Sequence, residues 1–451
     1  MNHRAFFKMA TTLATPIMVQ NLISTLVSSA DTIMLGYVSQ NAMAASSLAN
    51  QLQSVLFCTF YGLTAGTSVL ASQYWGKGDH ETIERVLGLA TRIALLISFI
   101  FFLAGFCFPT QVMRLFTDDL AIIQEGVRYL RIIAFSYVFM GFAQIYVCVL
   151  RSIGKVVLPT VTYVVSLVLN IAINATFIFG LFGLPKLGLV GVALGTVIAR
   201  FAECAICLVY SQAYSEVKVR LKWMVRRAGI LAKDFAHISV PSMANDIAWS
   251  LAVSVYSSVI GHMGSDVVAA NAVALMALNI GAVVSRGFAN ATTIVVSREL
   301  GANRMDTAKE YARRMLRLSM LFGACGALVM VAIRPLMIAI YAGKLTDAAI
   351  ALLRSVLVMR AVQLIGEATN TCLICGCFRG GGDARYGMVV DILSMWLVAV
   401  PLTLMAAYVF KLPPVWVYFV MCLDEFEKML PVFLHYRKFE WLHNITRDQL
   451  T

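Results

Sequence analysis

Charge is what this chain has least of. Of its 451 residues only 13% are Asp, Glu, Lys or Arg against 60% hydrophobic, and mean hydropathy is +0.79, which excludes an ordinary soluble domain. Histidine is scarce, at 6 residues, and no pair of histidines stands at ligand spacing, which argues against a zinc site. The ten cysteines include a Cys204/Cys207 pair and a Cys372, Cys375, Cys377 cluster, but both lie in apolar runs and read as small hydrophobes. The three Gly-Lys pairs, Gly76-Lys77, Gly154-Lys155 and Gly343-Lys344, are followed by Gly, Val and Leu. None completes a phosphate-binding loop, so ATP is not the fuel within this chain. Gly380-Gly381-Gly382-Asp383 satisfies one half of an intramembrane aspartyl-protease signature, but the partner Tyr-Asp string is absent; no enzyme is expected. No folded basic face with stacking aromatics is evident, so no nucleic-acid partner is expected either.

Long apolar runs are what remains. A spanning helix needs about 20 such residues, and the sequence supplies twelve runs, near 10–36, 43–74, 86–110, 121–150, 157–182, 188–211, 236–262, 267–297, 315–340, 348–376, 386–410 and 414–436. They are too long and too unalternating for barrel strands, so helices are required to satisfy the backbone in lipid. The expectation is an all-α polytopic membrane protein. The start, MNHRAFFK, has a signal-like positive flank, but the run behind it is overlong and interrupted by Pro16, so it reads as an uncleaved first span. Six basic residues lie between Lys218 and Lys233 and six more between Arg298 and Arg317. With twelve spans these fall on one side, which the positive-inside rule makes cytoplasmic together with both termini, in the inner (plasma) membrane of the cell. The net charge of +12 belongs to these loops and suits an anionic leaflet.

The chain also repeats itself. At an offset of 225 residues Pro16 falls on Pro241, Met18 on Met243, Gly36 on Gly261, Gly62 on Gly287, Thr67 on Thr292, Ser72 on Ser297, Gly76 on Gly301 and Arg92 on Arg317. Later, Arg151 to Gly154 lies over Arg379 to Gly382 at 228. Proline and glycine matches at one offset are not a by-product of apolar composition. Two pseudo-two-fold six-helix lobes around a central cavity are expected: an N-lobe 1–211, a basic linker 212–235, a C-lobe 236–440 and a tail 441–451.

The strings PIMVQN…DTIMLG, SQYWGKGD and LRSIGK, with IGHMGSDVVAANAVA, RELGANR and FRGGGDARYG in the second half, resemble the multidrug and toxic compound extrusion (MATE) transporters over nearly the whole chain. The resemblance implies an antiporter that exports amphipathic, often cationic compounds against Na⁺ or H⁺ by alternating access, with no other cofactor; we expect a monomer surrounded by lipid.

Asp31, a lone carboxylate inside an apolar run, is the first candidate for ion coupling. It matches the family's first-helix aspartate. Asn170 and Asn174, at i and i+4 on one helix face, match the polar pair beside it; some members carry aspartate where this chain has Asn174. With Asn50 and Thr196 they form the expected coupling set, and Asp31, Asn170 and Asn174 the oxygen ligands of a Na⁺ ion. Pro16 leaves a free carbonyl and a bend, a hinge by resemblance. Glu367, Arg286 and Gln20 are assigned to the substrate cavity. Sodium-driven branches add a seventh-helix glutamate where this chain has Trp249. A buried Arg286 needs an acidic partner such as Asp31 or Glu367, or it snorkels. Arg200 with Glu203, and Asp424, Glu425, Glu427 and Lys428, are expected as solvated helix ends. The alternative function is flipping of a lipid-linked saccharide, whose carriers are expected to line the cavity with several basic residues. Pro241 to Gly261 repeats the first span but has Tyr256 where Asp31 stands, so coupling is assigned to the N-lobe.

Overall fold

Apolar sequence in lipid has to close its own backbone hydrogen bonds, and in the computed structural model the chain does so as helix almost throughout. Residues 3–448 are described except 37, 184, 227, 342 and 344; within helices the side chains of 3–5, 24–33, 40 and 182 are not. The helices are α1 (His3–Gly36), α2 (Gln40–Lys77), α3 (His80–Cys107), α4 (Pro109–Arg114), α5 (Leu120–Ser152), α6 (Val157–Phe179), α7 (Leu189–Ala213), α8 (Leu221–Val225), α9 (Gly229–His262), α10 (Ser265–Gly301), α11 (Met305–Tyr341) and α12 (Asp347–Thr371). α12 continues through π turns at Cys372–Phe378; α13 (Ala384–Leu393) and α14 (Val400–Leu404) form one rod through the π turns Ser394–Ala399 and Met405–Val409, followed by α15 (Pro414–Glu427) and α16 (Met429–Lys438). Among the described residues twelve long rods result, with α13–α14 and α15–α16 each counted once. Among the described residues nine are long and apolar enough to cross a membrane. Their outer faces carry bare apolar side chains such as Ile100, Val168 and Leu328, as a lipid-facing surface requires.

Polar residues start the helices. Ser39, Asp79, Asp119, Thr346 and Asp383 each accept from a backbone N–H in the first turn of the helix they precede, replacing partners the helix cannot supply. The sequence repeat recurs at the helix ends. Gly78 N–H donates to Trp75 and Asp79 N–H to Tyr74, while Asn303 N–H donates to Leu300 and Arg304 N–H to Glu299. Gly78 and Asn303 are both left-handed, at φ 82 and 61, the conformation this cap demands. Likewise Gly154 and Lys155 donate to Arg151 and Leu150, as Gly382 and Asp383 do to Arg379 and Phe378.

Two packing units form. The C unit comprises the chain to Met18 with Val240–Thr446; the N unit comprises Val19–Ser239 with Arg447 onward. The divisions fall inside α1 and α9, beside Pro16 and Pro241, so packing units and repeat halves are different partitions of the chain. In the C unit the start of α1 sets Phe6, Ala10 and Ala14 against Phe288, Val295, Tyr311 and Met315. Gly376 and Gly380 bring the end of α12 onto α10, where a Cβ would meet Thr292 Cβ at 2.9 Å and Thr293 Cα at 3.0 Å. Trp441, fully buried, donates to Tyr436 O at 3.1 Å, and His443 N–H donates to Gly381 O at 2.8 Å. The glycine run before Asp383 is therefore a packing device, and Asp383 caps α13 and pairs with His435 at 2.8 Å. In the N unit Arg447 forks onto Asp234 at 2.7 and 2.8 Å.

Candidate functional site

In the N unit, α6 and α7 pack along their length and bring three of the expected residues together. Asn174 Nδ2 donates to Asn170 Oδ1 at 3.3 Å, Asn170 Nδ2 donates to Thr196 Oγ1 at 3.2 Å, and Thr196 Oγ1 donates to Val192 O at 3.1 Å. All three side chains are buried. The pair on α6 faces α7 because residue 195 has no side chain: a Cβ on Gly195 would lie 2.1 Å from Asn174 Oδ1. Buried amides in apolar surroundings must be hydrogen-bonded, and here they form a directional chain that ends on a backbone carbonyl. Its oxygens are neutral, and hard cations take oxygen ligands.

Gln20, on α1, is buried and donates to Thr160 Oγ1 on α6 at 2.9 Å; its Oε1 has no partner among the described residues. Asn50 is elsewhere, accepting from Tyr129 OH at 3.2 Å. Asp31 lies in α1, but its side chain is outside the described residues, as is any ligand set that includes it. Pro16 sits inside α1, as Pro241 does inside α9.

The C unit holds a second polar cluster. Arg379 pairs with Asp246 at 2.8 Å, and Lys428 Nζ lies 3.0 Å from Asp391 and 3.3 Å from Glu425. Asn245 donates to the other Asp391 oxygen at 3.1 Å, and Asn370 to Glu425 Oε2 at 2.8 Å. Lys428, Asp424 and Glu425 are buried, which corrects the expectation of a solvated helix end. The reason is close packing: a Cβ on Gly366 would come within 2.9 Å of Glu425 Cβ. Glu203, paired with Arg200 at 2.8 Å, is likewise buried. Arg286, in contrast, is exposed, and its charge acts on Glu367, one of the two acidic partners expected for it. Glu367 is half-buried on α12. Arg360, buried and bonded to Gln363 at 2.6 Å, went unnoticed in the sequence, where nothing distinguishes it from a surface arginine.

A family model described as MatE matches residues 16–176 and again 241–405, segments that start on the two repeated prolines. The uncharacterized transporter YisQ of Bacillus subtilis is 25% identical over 95% of this chain and 94% of its own. The multidrug resistance protein PmpM of Pseudomonas aeruginosa is 25% identical over 88% and 83%. Solved structures of similar fold include a MOP superfamily transporter from Pyrococcus furiosus, with a TM-score of 0.86 at 18% identity over 96% and 95% of the two chains. The Vibrio cholerae MATE transporter VcmN, solved as a mutant, also has a TM-score of 0.86 at 18% identity, over 96% and 97%.

Proposed function

The chain belongs to the MatE family, a family of multi-pass membrane transporters, and from that premise we propose that it exports amphipathic, often cationic small molecules in exchange for Na⁺ or H⁺ by alternating access. Multidrug resistance proteins among its relatives support the substrate class. The observation that carries the coupling site is the buried Asn174–Asn170–Thr196 chain. Polar groups this deep in apolar helices are kept at a cost and mark ion paths.

Asp31 supplies the charge that this chain lacks. The Gln20–Thr160 bond sets the register of α1 on α6. At 1.5 Å per residue, the Asp31 backbone lies about 16 Å beyond Gln20, and Asn170 and Asn174 about 15 and 21 Å beyond Thr160. Both helices start from the basic side, so the backbone at residue 31 and the α6 amides stand at one level along the two helices. Pro16, with its missing backbone bond, is the hinge, and Asn50 a more distant oxygen donor. Glu367 and Arg286 contribute charge to the substrate path. The protein works as a monomer in the inner membrane with both termini cytoplasmic.

Transport by proteoliposomes under an imposed Na⁺ gradient or an imposed pH gradient, each alone, tests the reading. Drug accumulation driven by one of them is the expected result. Failure of both, with scrambling of a lipid-linked saccharide in the same vesicles, would replace it with the flippase reading.

A further inference from the structure

α8 is a five-residue turn between the two halves, and it is seated on α3 through a glycine. A Cβ on Gly88 would lie 2.7 Å from the Trp223 carbonyl carbon, so only a residue without a side chain lets α8 dock there. Gly88 is about 12 Å along α3 from its first residue, which puts the contact near the membrane boundary on the side of the basic loops. Trp223 is 7% exposed, and three cations surround its ring: Arg85 at 4.7 Å from the ring centre, Lys222 at 4.7 Å and Arg226 at 5.5 Å.

One cation on an indole face is favourable. Three within that radius repel one another. Arg85 is neutralised by Glu81 at 2.8 Å, and Arg220 nearby by Glu84 at 2.9 Å. Among the described residues Lys222 and Arg226 have no carboxylate, and neither has Arg92, whose guanidinium reaches only the Arg226 carbonyl at 3.4 Å. The Trp223 Nε1 and Arg85 Nε, donors both, are buried without an acceptor. The excess is of positive charge and of hydrogen-bond donors together, and its complement is an anion bearing several oxygens.

The neighbouring side chains select the kind of anion. Leu221 and Val225, at i and i+4 on α8, are 76% and 81% exposed, while Trp223 faces α3. An inorganic anion makes no use of two bare aliphatic side chains beside its site. A lipid does. We propose that Arg85, Lys222 and Arg226 around Trp223 bind the phosphate headgroup of an anionic phospholipid, with Leu221 and Val225 against its acyl chains. The site fixes the loop between the halves to one leaflet and is separate from the transport site, so it stands whichever ion or substrate is carried.

Native mass spectrometry of the full-length protein with equimolar phosphatidylglycerol and phosphatidylcholine tests this. The wild type retains phosphatidylglycerol in preference, an excess of inorganic phosphate does not displace it, and high salt weakens it. K222Q/R226Q weakens binding about thirtyfold, at roughly one tenfold step per 1.4 kcal/mol and about 1 kcal/mol per cation. Both exchanged side chains are exposed, and an unchanged melting temperature verifies the fold. L221S/V225S also lowers phosphatidylglycerol retention. Equal retention of the two lipids by the wild type, salt-insensitive binding, displacement by phosphate, or a K222Q/R226Q variant that holds phosphatidylglycerol as the wild type does would each overturn the assignment.

Discussion

Ser297 Oγ donates to the Gly380 carbonyl at 2.7 Å, and 225 residues earlier Ser72 makes the same bond to the Ser152 carbonyl at 3.3 Å. Each serine ties the end of one long helix to the glycine-cornered turn that closes another. Ser297→Ala leaves a buried carbonyl short of a donor, at about 1–3 kcal/mol, and is expected to lower the melting temperature measured in detergent. Ser72→Ala, losing the longer bond, should lower it less.

Asp31→Asn keeps shape and removes charge. Drug efflux in everted vesicles should be lost while expression and melting temperature stay at wild-type values. Unchanged efflux would remove Asp31 from the mechanism.

Gly195→Ala places a methyl group where Asn174 Oδ1 now sits. The amide has to swing away from Asn170, so ion-driven uptake into proteoliposomes should fall severalfold in a protein that still inserts. Thr196→Val, which leaves Asn170 Nδ2 without its acceptor, should have the same sign.

Lys428→Met removes one partner from a buried ion cluster and strands Asp391 and Glu425. About 3–5 kcal/mol of stability is expected to go, seen as loss of monodisperse protein on size exclusion. The charge-balanced D391N/K428M pair should recover most of it.

Lys155 donates to Glu216 at 2.8 Å in the loop beyond α7 and, through that bond, holds the carboxyl below its ordinary value. A lowered carboxylate contributes stability above its unfolded value, near 4.3, and loses it as pH falls through the folded one. Glu216→Gln should therefore melt slightly below the wild type at neutral pH and level with it in acid. The difference is small because the side chain is 55% exposed.

The parts of this protein written in local chemistry were legible in the sequence: helical rods from apolar run length, the duplicated frame from Pro16/Pro241 and Gly36/Gly261, and the Asn170/Asn174 face from their spacing. Thr196 also joined them. Clusters assembled from distant elements were not. Asn245, Asp246, Asn370, Arg379, Asp391, Glu425 and Lys428 come from four rods, and Glu425 and Lys428, near a span's end, look like residues in water. Burial follows from a close approach such as Gly366 against Glu425, which no single span announces. What the triple glycine before Asp383 accommodates, Thr293 and Trp441, was hidden in the same way, because both lie far off in the chain.

Phe6, Ala10 and Ala14 pack against Phe288, Tyr311 and Met315, and Trp441 is fully buried in the same unit. The C unit therefore draws on segments far apart in the chain, in two separate clusters. During translation the apolar start of α1 waits, its C-unit partners unmade, until about three hundred residues more have been added, whereas Val19–Ser239 are all in hand at mid-chain. Contacts of such separation close late and slowly. The C unit closes over the start of α1 only once Phe288 to Met315 have been added, and a chain stalled before them leaves that face of α1 bare.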